Sequence, residues 1–322
     1  MKIKVIGFNG SYGVYPYEYK SGYEFVKEGE DYDWLVVYDE LPEPVTLKCP
    51  SANTIFATWE PISIKYYTRD FTRQFAHLLT NRPFDAERHP GYHLGRGYYR
   101  PFWGRSSADC GTFTLPEKTK LISSACSSKQ MKHTQHYARY HLMETLVRSV
   151  PGFEWYGHGV RPFNKKYEIL DEYKYHVVVE NHIAPYHWTE KIMDPILAEC
   201  LSFYAGDPRL AEDLPPGSFI PIPIDDPEKA AAIINEAIAN DEYSKRRAAV
   251  LEAKRLILTK YNFWQQVIDV IESGDAAFTP EATKLYPRRM LRWRRPGTLF
   301  DAFGWKFRSQ SDMNTFTRSQ DQ

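Results

Sequence analysis

Residues 175–191, YHVVVENHIAPYHWTEK, constrain this chain more than any other segment. Val177, Val178 and Val179 form a β-branched run bounded by polar residues, the pattern of a short buried parallel strand. Thr189 is a good N-cap for a helix that opens with Glu190 and Lys191. A strand that turns back as a helix within a dozen residues is a unit of an α/β fold. In open α/β sheets ligands bind at the carboxyl ends of strands, which is where Glu180 and Asn181 fall. The helix N-terminus nearby offers N–H groups to an anion, and Lys191 adds a full positive charge. Glu190 repels an anion, but its carboxylate accepts hydrogen bonds from hydroxyl groups. An acid at a helix start is also favoured by the helix dipole alone, so the segment by itself fits an ordinary helix entrance equally well.

The rest of the chain alternates in the same way. Strands are expected at 2–8, 34–38 (WLVVY) and 54–59, a partly helical segment at 62–79, and long shaped loops over 81–116, which are rich in Gly, Pro, His and Tyr. A strand at 121–123 and a helix within 129–147 follow, and FEWYG, in 152–159, is expected to open a second domain. Asp226 and Pro227 mark a favourable helix start, with helices continuing to about residue 272. Glycines 7, 10 and 13 are spaced GxxGxxG rather than GxGxxG and are expected to form a turn. Asp31 and Asp33 form a DxD that precedes a strand, and are expected in a turn as well. Alternating strands and helices in two halves fit two Rossmann-like domains facing a cleft, and 322 residues suffice for two cores.

Composition narrows the class. Lys plus Arg and Asp plus Glu number 41 each, so no net field attracts nucleic acid. The cysteines, Cys49, Cys110, Cys126 and Cys200, contain no CxxC pair, which fits a reducing compartment and no zinc site. The opening residues, MKIKVIGFNG, lack the apolar stretch of a signal peptide, and no run approaches the ~18 apolar residues of a membrane span. A cytoplasmic protein is expected.

Residues 174–221 carry a more specific pattern: EN ending a strand, a TEK helix, a short strand closing on Gly (SFYAG) and PPGSFIP. These four elements, in this order and spacing, resemble the donor-binding signature of the α1,3/4-fucosyltransferases, glycosyltransferase family 10. The resemblance extends more weakly over residues 1–270. It implies a GT-B architecture, with an N-terminal acceptor-side domain over 1–150, a donor-binding domain over 151–272 and a basic, aromatic tail over 273–322. It implies an inverting transfer of L-fucose from GDP-fucose to a glycan hydroxyl, in a bacterial surface polysaccharide or lipopolysaccharide precursor. Another GDP-sugar donor, or a catalytically silent nucleotide- or glycan-binding subunit, are the alternatives.

The same resemblance assigns roles residue by residue. Glu60, in TWEPIS, resembles the family's catalytic Glu in an ESP segment and would be the general base, with Pro61 holding its backbone extended. Residues 123–146 resemble the strand, loop and helix that carry a basic residue for the donor pyrophosphate. Arg139 suits it best, since guanidinium binds phosphate bidentately and stays charged, while His136, one turn earlier, and Lys129 or Lys132 remain in play. Asn181, Glu190 and Lys191 match the donor loop, and His187 stands where a family member uses Tyr, which leaves the transferred sugar open. His133, His136 and His141 lack accompanying ligands for a metal. With Lys and Arg available to the leaving group, no metal or other cofactor is expected. Pro195 should kink or shorten the TEK helix.

From residue 284 onward nine basic residues face three Asp. They interleave with Met290, Leu291, Trp293, Leu299, Phe300, Phe303 and Phe307, a pattern suited to an anionic membrane interface or to docking against the body or a second subunit.

Overall fold

The computed structural model describes residues 1–7, 22–61, 64–97, 114–130, 135–274 and 278–294, and it divides into two compact units. Among these residues one unit comprises the chain up to Gly95 together with Val267 onward; the other comprises Arg96 to Gln266.

The first unit contains β1 (Lys2–Ile6), β2 (Glu24–Val26), β3 (Trp34–Tyr38), β4 (Val45–Thr46), β5 (Thr54–Thr58), β6 (His77–Thr80) and β7 (Tyr92–Leu94), with α1 (Arg69–Thr72) between β5 and β6. Its main sheet is parallel throughout, in the order β2-β1-β3-β5-β6-β7. The central strands β3 and β5 are buried at every position, as expected where both faces of a parallel sheet are covered. Phe56, Phe71, Phe75 and Tyr67 pack over one face. Gly7, directly after β1, has φ +83°, and a Cβ there would lie 2.2 Å from the Tyr38 carbonyl oxygen, so the exits of β1 and β3 meet too closely for any side chain. Gly10 and Gly13 lie outside the described residues. Asp31 and Asp33 tie down the start of β1: Asp33 Oδ2 accepts from Lys2 N at 2.7 Å and Asp31 Oδ2 from Lys2 Nζ at 2.9 Å.

The second unit is a five-stranded parallel sheet of β8 (Lys120–Ala125), β9 (Phe153–Tyr156), β10 (Tyr173–Val179), β11 (Leu201–Ala205) and β12 (Phe219–Pro221), in the order β12-β11-β10-β8-β9. It is flanked by α2 (His136–Ser149), α3 (Glu190–Leu197), α4 (Pro227–Ala239) and α5 (Glu242–Thr259). One core gathers Trp188, Ile192, Ile196 and Ile257; the other gathers Leu142, Leu146, Val177, Phe203 and Ile234. Asp226 caps α4 by accepting from Lys229 N at 3.0 Å, with Pro227 at the first helical position. α3 carries Pro195 in its last turn and ends after eight residues, the short helix expected from that proline.

Three expectations need correction. Residues 120–149 belong to the second unit, because β8 pairs with β9 and β10 and with no strand of the first sheet; FEWYG is the edge strand β9, not the opening one. Residues 92–94, expected in loops, and 77–80, at the end of a segment expected to be helical in part, are strands added in sequence at the sheet edge; the helical part of that segment is α1. The basic tail is not separate from the body. β13 (Lys284–Leu285) pairs antiparallel with β4, Gln74 exchanges hydrogen bonds of 3.1 and 2.8 Å with the backbone of Tyr286, and the following helix α7 (Arg288–Arg294), which comes after α6 (Phe263–Ser273), buries Leu291 in the first core. Leu291, among the arginines, therefore faces protein. Residues 295–322 lie outside the described residues, and no described helix is long and apolar enough to cross a membrane.

Buried histidines should make both units acid-sensitive. Burial pushes His77 and His89 to about 4 and His176 to about 3, and His176 Nδ1 shares a 2.8 Å hydrogen bond with Ser123 Oγ. The unfolded groups titrate at 6.5, so the unfolded chain binds more protons below that pH. Their contribution is complete above 6.5 and is lost as pH falls toward the folded values. Each should remove on the order of 2 kcal/mol by about pH 5. Thermal melting across pH 7.5 to 4.5 should show a steep fall in Tm beginning near 6.5; a flat Tm down to pH 5 would contradict this.

Candidate functional site

In the second sheet β8 has β9 on one side and β10 on the other, so connections leave it in opposite directions and a crevice opens at the carboxyl ends of β8 and β10. The residues following these two strands converge there. Arg139, buried on the second turn of α2, donates from Nη1 to Asn181 Oδ1, and Asn181 is exposed two residues past β10. The Arg139 Nε is buried without a hydrogen-bond partner among the described residues, an unmet donor beside an open amide. It is Arg139 that reaches Asn181; His136 begins α2 one turn earlier, and Lys129 is exposed on the loop. Lys132 and His133 lie outside the described residues. His141 faces Glu144 at 3.5 Å and Tyr137 edge-on, on the outer side of α2.

The start of α3 is organised by Glu180, whose carboxylate is fully buried at the end of β10. It accepts from Thr189 N at 2.9 Å and from Thr189 Oγ1 at 2.9 and 2.8 Å, and lies 3.6 Å from Lys191 Nζ. Thr189 Oγ1 in turn accepts from Lys191 N at 3.2 Å, the expected cap. Lys191 Nζ also contacts Glu190 Oε1 at 3.1 Å and Thr189 Oγ1 at 3.3 Å. Burial raises the Glu180 pKa against the pull of Lys191. For Glu190 burial acts upward, but Lys191 and then Lys166 outweigh it and leave its pKa lowered. Burial acts downward on Lys191, and Glu180 and Glu190 outweigh it. Both side chains are thus held charged: Glu190 and Lys191 are a hydrogen-bond acceptor and a cation at the mouth of the same crevice.

His187 is buried, edge-on to His182 at 5.3 Å. Its neighbours fix the loop. Trp188, fully buried, donates from Nε1 to Asp213 Oδ2 at 2.8 Å, and Asp213 pairs with Arg96 at 3.1 Å. Tyr186 has φ +62° and lies between two guanidiniums, Arg96 at 4.1 Å and Arg209 at 5.2 Å from its ring centre. Sequence alone does not single out Arg96, Trp188, Asp207 or Asp213, because their partners lie 25 or more positions away or act through the backbone. Burial raises the Asp207 carboxyl to about 7, against hydrogen bonds from the Arg209 and Tyr186 backbone.

In the first unit Glu60 lies two residues past β5, at the carboxyl edge of its sheet. Its carbonyl oxygen accepts from Arg82, at 2.8 Å from Nε. Next to it, at the end of β3, Asp39 receives Thr58 Oγ1 at 3.0 Å, Lys65 Nζ at 2.7 Å and the hydroxyl of Tyr67. Among the described residues no group of three or more His, Cys, Asp or Glu is placed to hold a metal ion.

No protein-family model matches this chain, and no curated protein sequence does. Solved structures do. A crystal structure of an α1,3-fucosyltransferase with GDP-fucose matches with a TM-score of 0.51 at 15% identity, over 84% of this chain and 89% of that one. The same kind of enzyme with GDP matches at 0.46, with 15% identity and coverage of 81% and 92%. Anabaena Alr3699/HepE in complex with UDP and glucose matches at 0.47, with 11% identity and coverage of 76% and 79%. The fold is GT-B. Two Rossmann-like units, each with a parallel sheet and a switch point, account for both sheet orders, and the GT-B expectation from sequence holds at the level of fold.

Glu180→Gln should test how far the site depends on its buried carboxylate. Loss of the charge removes one of the two carboxylate partners of Lys191 and one strong acceptor of the α3 cap, an expected loss of about 2 kcal/mol, seen as a Tm lower by roughly 4–8 °C. An unchanged Tm would show that the cap stands without it.

Proposed function

We propose that this protein is an inverting glycosyltransferase that moves L-fucose from GDP-fucose to a hydroxyl of a glycan acceptor, a bacterial surface polysaccharide or lipopolysaccharide precursor. The observation that carries the reading is the gathering of Arg139, Asn181, Glu190 and Lys191 at the switch point of the second sheet, at the start of α3. A nucleoside diphosphate needs there what these groups supply: cations and helix N–H groups for the diphosphate, and a carboxylate for ribose hydroxyls. The Arg139 guanidinium and the exposed Asn181 amide would take phosphate oxygens. On donor binding Lys191 would exchange Glu190 for phosphate, which turns Glu190 toward the ribose.

Glu60 is the general base in this reading. It removes the proton of the acceptor hydroxyl as that oxygen attacks the anomeric carbon, and the C–O bond to GDP breaks from the opposite face. Arg139 and Lys191 stabilise the charge that develops on the departing diphosphate. Because these two cations can carry that charge, we propose that no divalent ion is required, and turnover in excess chelator should equal turnover in magnesium or manganese. Strict dependence on either ion would overturn this.

A second donor reading rests on one position. His187, in the place where a family member uses Tyr, is compatible with a GDP-sugar other than GDP-fucose. A silent binding subunit is a third reading, separated from the others by donor hydrolysis. We place the protein in the cytoplasm. Peripheral contact with an anionic membrane is retained only for residues 295–322, since the segment before them packs on the first unit; cosedimentation with anionic liposomes should be lost on removing those residues.

Glu60→Gln should abolish transfer, by at least about 10³-fold in kcat, with GDP affinity within about twofold of the parent. Retained turnover would remove Glu60 from this role.

A further inference from the structure

The proposed base does not stand alone. Arg82, two residues past β6, is buried, yet its nearest carboxylate, Asp85, is 3.9 Å away and is shared with Arg88 at 3.5 Å. Its hydrogen bonds go elsewhere. Nε and Nη2 both donate to the Glu60 carbonyl oxygen, the former at 2.8 Å, and Nη2 also donates to the Lys65 carbonyl oxygen at 3.0 Å. One guanidinium therefore clamps the main chain on both sides of the segment that begins with the proposed base. The Tyr67 ring lies 5.1 Å from the guanidinium centre, and the Tyr67 hydroxyl donates to Asp39 at the end of β3.

A buried, weakly paired guanidinium is an inefficient way to stabilise a sheet edge, where an apolar side chain of similar volume would do as well or better. What the guanidinium provides and an apolar side chain cannot is a rigid, planar set of donors that fixes two carbonyl groups relative to each other. A base is effective only when held within a few tenths of an ångström of the proton it removes. Glu60 follows its strand by two residues and has left the sheet ladder, so its position must be fixed from elsewhere.

We propose that Arg82 is a positioning residue for Glu60: by clamping the carbonyl groups of Glu60 and Lys65 it aims the Glu60 carboxylate at the acceptor hydroxyl. This rests on the reading of Glu60 as the base. The two charges also interact, since Glu60 is among the groups that stabilise the Arg82 cation, and a cation near a carboxylate favours its ionised form.

Two substitutions separate the geometric and electrostatic parts. Arg82→Lys keeps the charge and loses the planar clamp; kcat should fall about 10–100-fold with KM for the GDP-sugar within about twofold and the acid limb of the pH profile in place. Arg82→Gln loses the charge as well; kcat should fall further, and the acid limb should move to higher pH, because the base is then protonated more readily. A normal kcat in Arg82→Lys would overturn the inference, as would a loss of donor affinity in parallel with kcat, which marks general damage. If neither variant folds, Tyr67→Leu removes the ring beneath the guanidinium and should give the Arg82→Lys pattern; a normal kcat there would equally overturn it. The two readings fail separately: turnover in Glu60→Gln removes the base itself, whereas a dead Glu60→Gln with a normal Arg82→Lys removes only the positioning role.

Discussion

The Glu180 carboxylate is the constraint on which the second unit's crevice depends. It ends β10 out of reach of water, and an ionised carboxylate in such a place must be fully hydrogen-bonded and paired. Thr189 supplies an N–H and a hydroxyl, and Lys191 supplies the cation. In meeting the need of one buried charge, the chain brings the start of α3 back onto the end of its preceding strand. Lys191 and Glu190 then stand at the crevice, and Asn181, next to Glu180 in sequence, is delivered to Arg139. The fully buried Glu180 thus sets the positions of the more exposed groups around it.

Charge balance gives the site its character. Both carboxylates, Glu180 and Glu190, face Lys191, while Arg139 donates to the Asn181 amide, so the cations of the crevice are already partnered. Lys191 is already paired with Glu190, so an anion arriving there would compete with a carboxylate rather than with water alone. The first unit solves a related problem with a different fork, in which Arg82 holds two carbonyl groups and Asp39 gathers Thr58, Lys65 and Tyr67. Both clusters lie at the carboxyl edges of parallel sheets, where the chain leaves the ladder and backbone groups need new partners.

Much of this could be read along the chain because it is local. The strand read at 176–179, which begins three residues earlier, the Thr189 cap, the short α3 imposed by Pro195 and the Asp226–Pro227 helix start each rest on residues a few positions apart. Arg139 and Asn181 were each singled out through resemblance, but that they meet is a finding of the structure alone. What sequence could not supply are long-range choices. Nothing local tells whether β8 joins the first sheet or the second, since a parallel strand carries the same buried pattern in either. The interleaved arginines and apolar residues near 290 fit a membrane surface and a protein surface alike, and only β4, some 240 residues upstream, decides between them up to Leu291. Arg82 and Asp213 gave no signal because their partners are a backbone carbonyl or a residue in a distant element.

The central claim, that the second unit's crevice accepts a GDP-sugar for transfer, is tested most directly by incubating the purified protein in chelator with a panel of GDP-, UDP- and CDP-sugars and following free nucleotide. Slow release of GDP from GDP-fucose, dependent on Arg139 and Lys191, with no release from the UDP- or CDP-sugars, is the predicted result. Preference for a UDP- or CDP-sugar, or GDP-sugar binding without turnover even when glycan acceptors are supplied, would contradict it.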